Sequence, residues 1–251
     1  MRIAAIYDIH GNLPAHEAVV SEILEAYADH IVVGGDVLPG PLPRETLEYL
    51  LQLDIPTHFI HGNGDREVLA QMAGIESEWY RAALDLWSEP VRWTAQQLSS
   101  EHRQLLASWP LTCRVKLGGL GDVLFCHATP RNDTEVFTQL TPEHRLLPIF
   151  ELPGVDVVIC GHTHMQFDRV VGKTRVVNAG SVGMPFGAPG ANWLLLGSDV
   201  ELRHTAYDLA QAAERILEST YPQAESFVQN NFLQPPPQEE TLCALASAEL
   251  K

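Results

Sequence analysis

The sequence predicts an α/β protein built on layered sheets and helices, and three observations carry that prediction. Short apolar runs rich in β-branched and aromatic residues recur along the chain, and most are apolar at consecutive positions, as in strands covered on both faces. Segments with helical spacing of apolar residues separate the first of these runs. The chain has 251 residues, of which 45% are hydrophobic, which is enough to bury one large core. We expect a single domain spanning residues 1–251.

The expected strands alternate with helices in the first part of the chain. The strand-like runs are RIAAIY (2–7), HIVVGG (30–35), THFIHG (57–62), DVLFC (122–126), DVVIC (156–160), TRVVN (174–178) and NWLLL (192–196). Helices are expected in LPAHEAVVSEILEAYAD (13–29) and PRETLEYLLQL (43–53). This β-α-β-α-β order is typical of a sheet layered with helices. The close spacing of strands from 169 to 205 favours antiparallel pairing there.

Residues 66–111 depart from this alternation. They are rich in Leu, Ala, Gln, Glu and Trp and contain no clear strand, which indicates a helical insertion. We expect it to form a wall of any site near Asn63, because it follows that turn directly. Its aromatic residues Trp79, Tyr80 and Trp87 either face that site or pack the core of the insertion itself.

The end of the chain is expected to hold an amphipathic helix and an arm. The helix begins near Asp208. The arm covers residues 230–251, contains QPPPQEE, and is expected to be extended and ordered only where it docks.

The composition excludes several classes of partner. The formal net charge is -16, from 32 acidic and 16 basic residues, and such a surface repels duplex nucleic acid and anionic lipid. No apolar run approaches membrane-spanning length, and the N-terminal MRIAAIYD lacks the apolar region of a signal peptide. The four cysteines form no C-x-x-C pair, which favours reduced thiols. We therefore expect a cytoplasmic protein, and nothing in the composition indicates an oligomeric state.

Side chains of metal-binding type follow five of the expected strands. They are Asp8, His10, Asp36, Asn63, His127, His162 and His164. Strand ends at one edge of a layered sheet converge, and residues two apart in an extended segment leave it on the same side. Each residue alone has an ordinary explanation, such as a helix cap for Asp8 or a turn for Asp36. Seven of them at five strand ends favour a shared metal site.

The donor types indicate which ions would bind. Carboxylate, imidazole and amide donors suit divalent Mn, Fe, Co, Ni or Zn, and the lack of cysteine ligands argues against a structural zinc site. Seven donors are too many for one ion with an open position, and they suit two ions that share a carboxylate. Such a pair would keep a local charge of about +2 by formal counting, so that a phosphate ester is the natural substrate.

The order of these motifs resembles the calcineurin-like metallophosphoesterase superfamily. The blocks are D-x-H at 8–10, G-D at 35–36, G-N-x-D at 62–65, the strand-end His127, and G-H-x-H at 161–164. The stretch VVNAGSVGMP (176–185) resembles the Asn-x-Gly-Ser-Val-Gly loop of the small bacterial and archaeal phosphodiesterase branch. The resemblance implies a four-layer α/β/β/α sandwich that hydrolyses phosphate esters, a phosphodiesterase first of all.

The resemblance also implies a role for each ligand. One ion would be held by Asp8, His10, Asp36 and His164. The other would be held by Asp36, Asn63, His127 and His162, with Asp36 bridging. A water shared by the ions would be deprotonated near neutral pH and attack phosphorus in line. On this basis Asp36, Asn63 and His127 are expected to serve catalysis.

The turn FIHGNGD (59–65) departs from the family pattern at Gly64, where the family commonly has a histidine that is thought to protonate the leaving oxygen. Loss of a general acid typically costs about 10²–10⁴-fold, least for good leaving groups. We therefore expect a steep dependence on leaving-group pKa, and we expect Gly64→His to restore an acid unless Gly64 has a positive φ. Asp65 is expected to cap the next helix or to hold His127.

Three residues near these motifs are candidates for substrate binding: His61, Arg131 and Asn132. A structural role for His61 and an exposed-loop role for the other two are the alternatives.

The expected function is hydrolysis of a small phosphate ester with two divalent transition-metal ions. A phosphomonoesterase or protein phosphatase is the alternative activity. A low-activity binding module on the same fold is the alternative of another class.

Overall fold

The secondary structure is dominated by two sheets and the helices around them. The computed structural model describes residues 1–77, 85–246 and 250, without the side chains of 85–87. The strands in this part of the chain are β1 (Ile3–Ile6), β2 (His30–Val33), β3 (Thr57–Phe59), β4 (Thr112–Leu117), β5 (Gly121–Cys126), β6 (Val157–Cys160), β7 (Gln166–Val171), β8 (Thr174–Ala179), β9 (Ala191–Leu196) and β10 (Val200–Thr205). The helices are α1 (Leu13–Glu25), α2 (Pro43–Leu51), α3 (Asn63–Met72), α4 (Asp85–Gln97), α5 (Ser100–Ser108), α6 (Glu143–Phe150), α7 (Leu209–Leu217), α8 (Ala224–Val228), a π-helix (Gln229–Leu233) and α9 (Gln238–Ala246).

Each sheet has five strands, including a group of three adjacent parallel strands. Sheet A has the order β10-β9-β1-β2-β3, and sheet B has the order β4-β5-β6-β8-β7. In sheet A, β1, β2 and β3 run parallel, while β9 is antiparallel to β1 and to β10. In sheet B, β5, β6 and β8 run parallel, and the edge strands β4 and β7 are antiparallel to their neighbours. The antiparallel pairing expected between 169 and 205 is confirmed.

The two sheets face each other across one apolar layer and carry helices on their outer faces. Between the sheets, side chains of sheet A such as Val32 pack with side chains of sheet B such as Phe125. Residues of α1 and α2 cover the outer face of sheet A, and residues of α6 cover the outer face of sheet B. Every residue of β1, β6 and β9 is buried, because these strands lie between two apolar layers. The expected α/β/β/α sandwich is confirmed.

The sequence did not predict β4, β7 or β10 as separate strands. All three are edge strands, and each contains exposed positions among buried ones. The amphipathic helix expected near Asp208 is confirmed as α7, because the Asp208 side chain accepts hydrogen bonds from the amides of Ala210 and Gln211.

The insertion begins with α3 at Asn63 and continues through α4 and α5. Val91 of α4 and Leu106 of α5 join the apolar layer on the outer face of sheet A. Trp79, Tyr80 and the side chain of Trp87 lie outside the described residues, so the predicted role of these aromatic residues is not decided by the structure.

The C-terminal arm contains more regular structure than the sequence indicates. The expectation of an extended arm is wrong for Gln238–Ala246, which form α9. The arm docks on the body of the protein, since Gly187 N donates to Pro236 O at 3.0 Å. None of the helices in the described residues combines the length and apolar composition that a membrane crossing requires.

Candidate metal centre

The seven predicted ligands lie together at the carboxyl ends of five strands. Strands of sheet A lead to Asp8, His10, Asp36 and Asn63, and strands of sheet B lead to His127, His162 and His164. The parallel strands of both sheets therefore deliver side chains to one edge.

The ligands form two adjoining clusters. Asp8, His10 and His164 make the first, Asp36, His127 and His162 make the second, and within each cluster one donor atom per residue lies within 4.8 Å of the others.

Asp36 lies between the two clusters, and Asn63 lies beside the second cluster. Oδ2 of Asp36 is 3.7 Å from Nε2 of His10 in the first cluster and 3.5 Å from Nε2 of His127 in the second. The terminal amide group of Asn63 lies 3.1 Å from His127 Nε2. A single carboxylate oxygen thus faces both clusters, which is the position that a bridging ligand needs.

The backbone is strained at most of these ligands. Five of the seven have φ in the left-handed region: Asp8 (53°), His10 (48°), Asp36 (51°), His162 (68°) and His164 (58°). Each such residue costs about 1–3 kcal/mol and persists only where its surroundings fix it. Among the described residues, only Tyr27 and Leu250 are further non-glycine cases. Strain is therefore concentrated at the site.

Each of the four histidines donates one ring N–H to a backbone carbonyl, which can only accept. The pairs are His10 Nδ1 with Pro39 O at 3.3 Å, His127 Nδ1 with Gly34 O at 3.0 Å, His164 Nδ1 with Met184 O at 2.9 Å, and His162 Nε2 with Thr134 O at 3.2 Å. The other ring nitrogen is left for the site. Metal-binding histidines in proteins are oriented in the same way.

One carboxylate oxygen in the first cluster has no hydrogen-bond partner among the described residues. Asp8 is fully buried and its Oδ1 is unpartnered, although its Oδ2 accepts from His162 N at 2.8 Å. Oδ1 lies 3.4 Å from Nε2 of His164 and 3.9 Å from Nε2 of His10. A buried carboxylate oxygen without a partner is costly, and a cation bound between these atoms would remove that cost.

The electrostatics of the second cluster also favour a bound positive charge. Burial disfavours the ionised form of Asp36, but the charge of His127 lowers the pKa of Asp36 below its ordinary value. Burial opposes protonation of His127, but Asp36 raises the pKa of this imidazole to about 10. Burial and the neighbouring His127 lower the pKa of His162 to about 4. The negative charge of Asp36, which favours a proton on His127, would also favour a divalent cation. These residues therefore fit such an ion.

A buried carboxylate fixes the loop that carries Asp36. Asp65 accepts hydrogen bonds from the amides of Asp36 (2.8 Å), Leu38 (3.0 Å) and Gly62 (3.0 Å). The bond to Gly62 caps α3, as the sequence predicts. Burial and the Asp36 carboxylate raise the pKa of Asp65 to about 8, against the effect of the amide hydrogen bonds.

Asp65→Asn should weaken metal binding by about 10–100-fold, the range typical of groups that orient metal ligands. The carboxamide keeps one acceptor atom, so one or more of the three amides loses its partner. The measurement is metal titration by calorimetry. Asp208→Asn is the matched control, because it also changes a helix-capping aspartate that binds two amides, and asparagine is an equally good cap. Equal metal affinity in the two variants would contradict the assigned role.

The expectation that Gly64→His restores a general acid fails on steric grounds. Gly64 is not in the left-handed region, but a Cβ there would lie 2.4 Å from Leu38 O and 3.1 Å from Asp36 Oδ1. The Gly64 amide also donates to Asp36 Oδ1 at 2.7 Å. Two backbone segments therefore meet at residue 64 beside the Asp36 carboxylate, and a side chain there would separate them.

The Asn-x-Gly-Ser-Val-Gly loop forms hydrogen bonds to the backbone of the segments that carry Asp8 and His162. The Asn178 side chain donates to Gly161 O at 2.6 Å. The Ser181 hydroxyl donates to Asp8 O at 2.7 Å, and Gly183 N donates to the same oxygen at 3.0 Å. Sequence reasoning found this loop only as a resemblance and gave it no role. The available signal was an asparagine, Asn178, at the end of an apolar run.

The three substrate-binding candidates make contacts within the protein. The Arg131 guanidinium is paired with the Glu135 carboxylate at 2.6 Å, and the Asn132 side chain accepts from Thr134 N at 2.6 Å. His61 is half-buried and packs against the ring of Trp109. None of the three is among the described residues that line the cavity.

A cavity of about 850 Å³ opens above the two clusters. Its floor contains ligands from both clusters, and its walls come from the insertion, from the loop after β8 and from the C-terminal segment. The lining residues are His10, Asp36, Pro39, Asn63, Gly64, Glu67, Pro90, Val91, His162, His164, Met184, Phe186, Tyr221, Gln223, Ser226, Phe227, Asn230, Asn231 and Pro236. Pro90 and Val91 show that the insertion forms a wall of the cavity.

The fold and the site together define a metallophosphoesterase-type hydrolase. Residues 1–199 match the model of the calcineurin-like phosphoesterase superfamily domain, so the chain belongs to the calcineurin-like phosphoesterase superfamily. This family implies divalent metal ions, and the described residues offer two possible sites for them.

Relatives and solved structures agree with this assignment. The chain is 27% identical over 241 residues to uncharacterized protein MJ0912 of Methanocaldococcus jannaschii, covering 88% of this chain and 94% of that protein. It is 26% identical over 211 residues to phosphodiesterase YfcE of Escherichia coli strain K12, covering 80% of this chain and 89% of that protein.

Two solved structures share the fold over almost their whole length. Hypothetical protein PH1004 from Pyrococcus horikoshii OT3 superposes with a TM-score of 0.79 at 22% identity, covering 94% of this chain and 99% of that one. A metallophosphoesterase from Sphaerobacter thermophilus gives a TM-score of 0.67 at 26% identity, covering 91% of this chain and 97% of that one.

Proposed function

We propose that the protein is a phosphodiesterase that uses two divalent transition-metal ions held by Asp8, His10, Asp36, Asn63, His127, His162 and His164. The observation that carries the proposal is the pair of adjoining ligand clusters, with one Asp36 oxygen facing both, at the floor of the cavity. The similarity to phosphodiesterase YfcE supports the same reaction class. When bound, the two ions would lower the pKa of a coordinated water and would withdraw charge from the phosphoryl oxygens.

The cavity wall favours a diester over a monoester. No lysine or arginine is among the described residues that line the cavity, and Glu67 adds a carboxylate to the wall. The charge of a phosphate group must therefore be balanced at the floor alone. A diester carries one negative charge and a monoester carries nearly two at neutral pH, so the second charge of the monoester has no partner in the wall.

The described part of the wall offers no free imidazole or carboxyl group as a proton donor for the leaving oxygen. The lining imidazoles are His10, His162 and His164, each a proposed metal ligand. The Glu67 carboxylate is 3.1 Å from an Arg66 guanidinium nitrogen and accepts from the Ser77 hydroxyl at 2.5 Å. With Gly64 in place of a side chain, departure of the leaving group depends on its own stability as an anion.

Bis-p-nitrophenyl phosphate should therefore be hydrolysed with a kcat/KM at least about 10-fold above that of p-nitrophenyl phosphate, which has the same leaving group. A series of aryl methyl diesters should show rates that fall steeply as the leaving-group pKa rises, because general-acid assistance, typically about 10²–10⁴-fold, is missing. The measurement is steady-state kinetics with protein loaded with Mn, Fe, Co, Ni or Zn.

The outcomes of this screen separate the candidate functions. Faster turnover of the monoester would contradict the diesterase and indicate a phosphomonoesterase. Binding of two ions per chain without turnover of either ester by any metal form would indicate a binding module. A flat leaving-group series, with chemistry shown to limit the rate, would mean that another group supplies the proton.

A further inference from the structure

The C-terminal segment supplies one side of the cavity above the metal clusters. Six residues of this segment line it, and we call them the C-terminal wall: Tyr221, Gln223, Ser226, Phe227, Asn230 and Asn231. All six lie beyond residue 199, where the match to the family model ends. The wall therefore lies outside the part of the chain that matches the family model, and it faces the space above the two clusters.

Aromatic contacts hold the C-terminal wall in place from both sides. The Tyr221 ring meets the ring of Trp93, in the insertion, edge-on at 5.3 Å, and it meets Phe227 at 6.0 Å. Phe232 lies 5.9 Å from Phe227 and 6.1 Å from Tyr207. Such aromatic pairs stabilise a structure beyond the area that they bury. The wall is thus fixed before a ligand arrives.

The polar groups of the C-terminal wall are uncharged donors and acceptors. It presents three carboxamides and a serine hydroxyl, and it contains no Lys, Arg, Asp or Glu. Asn231 is 7% exposed and its amide nitrogen donates to Phe227 O at 2.9 Å. Its amide oxygen accepts no hydrogen bond from any described residue, so it is available to a ligand. Asn230 donates to the Ser226 hydroxyl at 3.1 Å, which orients that pair at the wall.

An unusual backbone places Asn231 in the wall. Residues Gln229–Leu233 form a π-helix directly after α8. Such wide turns are rare and are found frequently at functional sites. Here the wide turn carries Asn230 and Asn231, two of the three carboxamides.

Apart from the floor and Glu67, the rest of the cavity is mostly apolar or aromatic. Pro90 and Val91 come from the insertion, and Met184 and Phe186 come from the loop after β8. The Phe186 ring stacks on His164 at 5.6 Å with an interplanar angle of 26°, so it stands next to the first metal cluster. A ligand in this space meets flat apolar surfaces together with the edges of carboxamide groups. The cavity volume of about 850 Å³ lies within the range usual for small-molecule sites.

We infer that the C-terminal wall binds a nucleoside group carried by the phosphodiester substrate. A nucleobase has flat faces for aromatic contacts and a polar edge for carboxamides, and unpaired bases are bound in this manner elsewhere. A further phosphate, a sulfate or an acidic peptide would find no cation in the described wall. This inference rests on the proposed phosphodiesterase function and specifies its substrate class.

The test compares three diesters that share a p-nitrophenolate leaving group: thymidine 5′-(p-nitrophenyl phosphate), phenyl p-nitrophenyl phosphate and methyl p-nitrophenyl phosphate. The metal-loaded full-length protein should show a kcat/KM for the thymidine ester at least about 10-fold above that for the methyl ester, the effect of one or two net hydrogen bonds. A phenyl ester that equals the thymidine ester would overturn the inference, because apolar contact alone would then explain binding.

Variants locate the effect in the C-terminal wall. Asn231→Leu should reduce the preference for the thymidine ester over the methyl ester by about 10-fold. Asn230→Leu, at an exposed position, should reduce it in the same direction and serves as the test if Asn231→Leu does not fold. Gln234→Leu is the matched control, since this exposed residue follows the π-helix and is not among the lining residues. An unchanged preference in both asparagine variants would refute the assignment.

A binding measurement separates this inference from the proposed function. Calorimetry with thymidine 5′-(methyl phosphate), which lacks a good leaving group, measures the affinity of the C-terminal wall for the nucleoside without requiring turnover. If thymidine 5′-(methyl phosphate) binds and Asn230→Leu weakens this binding about 10-fold, the inference that the wall binds a nucleoside is supported even when no diester is hydrolysed. In that case only the proposed phosphodiesterase activity is contradicted. Equal affinities for thymidine 5′-(methyl phosphate) and dimethyl phosphate would refute nucleoside binding by the wall, whether or not the protein hydrolyses diesters.

Discussion

Asp36→Asn should abolish phosphoester hydrolysis while the fold remains intact. The side chain has the same size, and its oxygen can still accept from the Gly64 amide, as Asp36 Oδ1 does at 2.7 Å. The substitution removes the negative charge from the oxygen that faces both clusters. Loss of one preorganised electrostatic group costs about 10²–10³-fold, and here two ions lose the same ligand, so kcat should fall by at least about 10³-fold.

Metal analysis and calorimetry accompany the kinetics of Asp36→Asn. The unaltered protein should contain close to two ions per chain, and the variant fewer, with little change in the melting temperature measured without added metal. Asp168→Asn is the control, because that carboxylate belongs to a surface pair with Arg175. Full activity of Asp36→Asn, or one ion per chain in the unaltered protein, would rule out the dinuclear site.

Gly64→Ala should lower both stability and metal affinity, although it adds a single methyl group. That methyl would lie 2.4 Å from Leu38 O, so the loop carrying Asp36 must move away from α3. Overpacking of this kind costs about 1–3 kcal/mol. The displacement also breaks or lengthens the bond from Gly64 N to Asp36, and we expect metal affinity to fall by about 10–100-fold.

Gly118→Ala provides the comparison for Gly64→Ala. A Cβ at Gly118 meets nothing within 4 Å, and substitutions at such exposed positions change stability by no more than about 0.5 kcal/mol. Denaturant unfolding and metal titration of both variants measure the difference. If Gly64→Ala binds metal as tightly as Gly118→Ala, then the close contact between the two loops does not position Asp36.

The sequence predicts the centre of the sheets better than their edges. Strands such as β1 and β6 are buried on both faces and appear as continuous apolar runs. The strands that were missed, β4, β7 and β10, each have one neighbouring strand and one partly exposed face. Their charged residues interrupt the apolar run. The pattern is then too short and too mixed to distinguish from a loop.

The candidate ligands could be grouped from the sequence because each follows a strand within a few residues. Their supports could not, since those depend on contacts between distant segments. The carboxylate of Asp65 binds the amide of Leu38, and the hydroxyl of Ser181 binds the carbonyl of Asp8 across 173 positions of the chain. The steric role of Gly64 also depends on Leu38. The C-terminal wall was missed for the same reason, because only folding brings residues 221–231 over the site.

Ligands from both sheets meet in each cluster, and this has a consequence for folding thermodynamics. The first cluster joins Asp8 of sheet A to His164 of sheet B, and the second joins Asp36 of sheet A to His127 of sheet B. An ion bound in either cluster would cross-link the two halves of the sandwich. Because the unfolded chain has no such site, each ion at 1,000 times its dissociation constant would add about 4 kcal/mol to the free energy of unfolding. The melting temperature of this protein would then report the concentration of free metal around it.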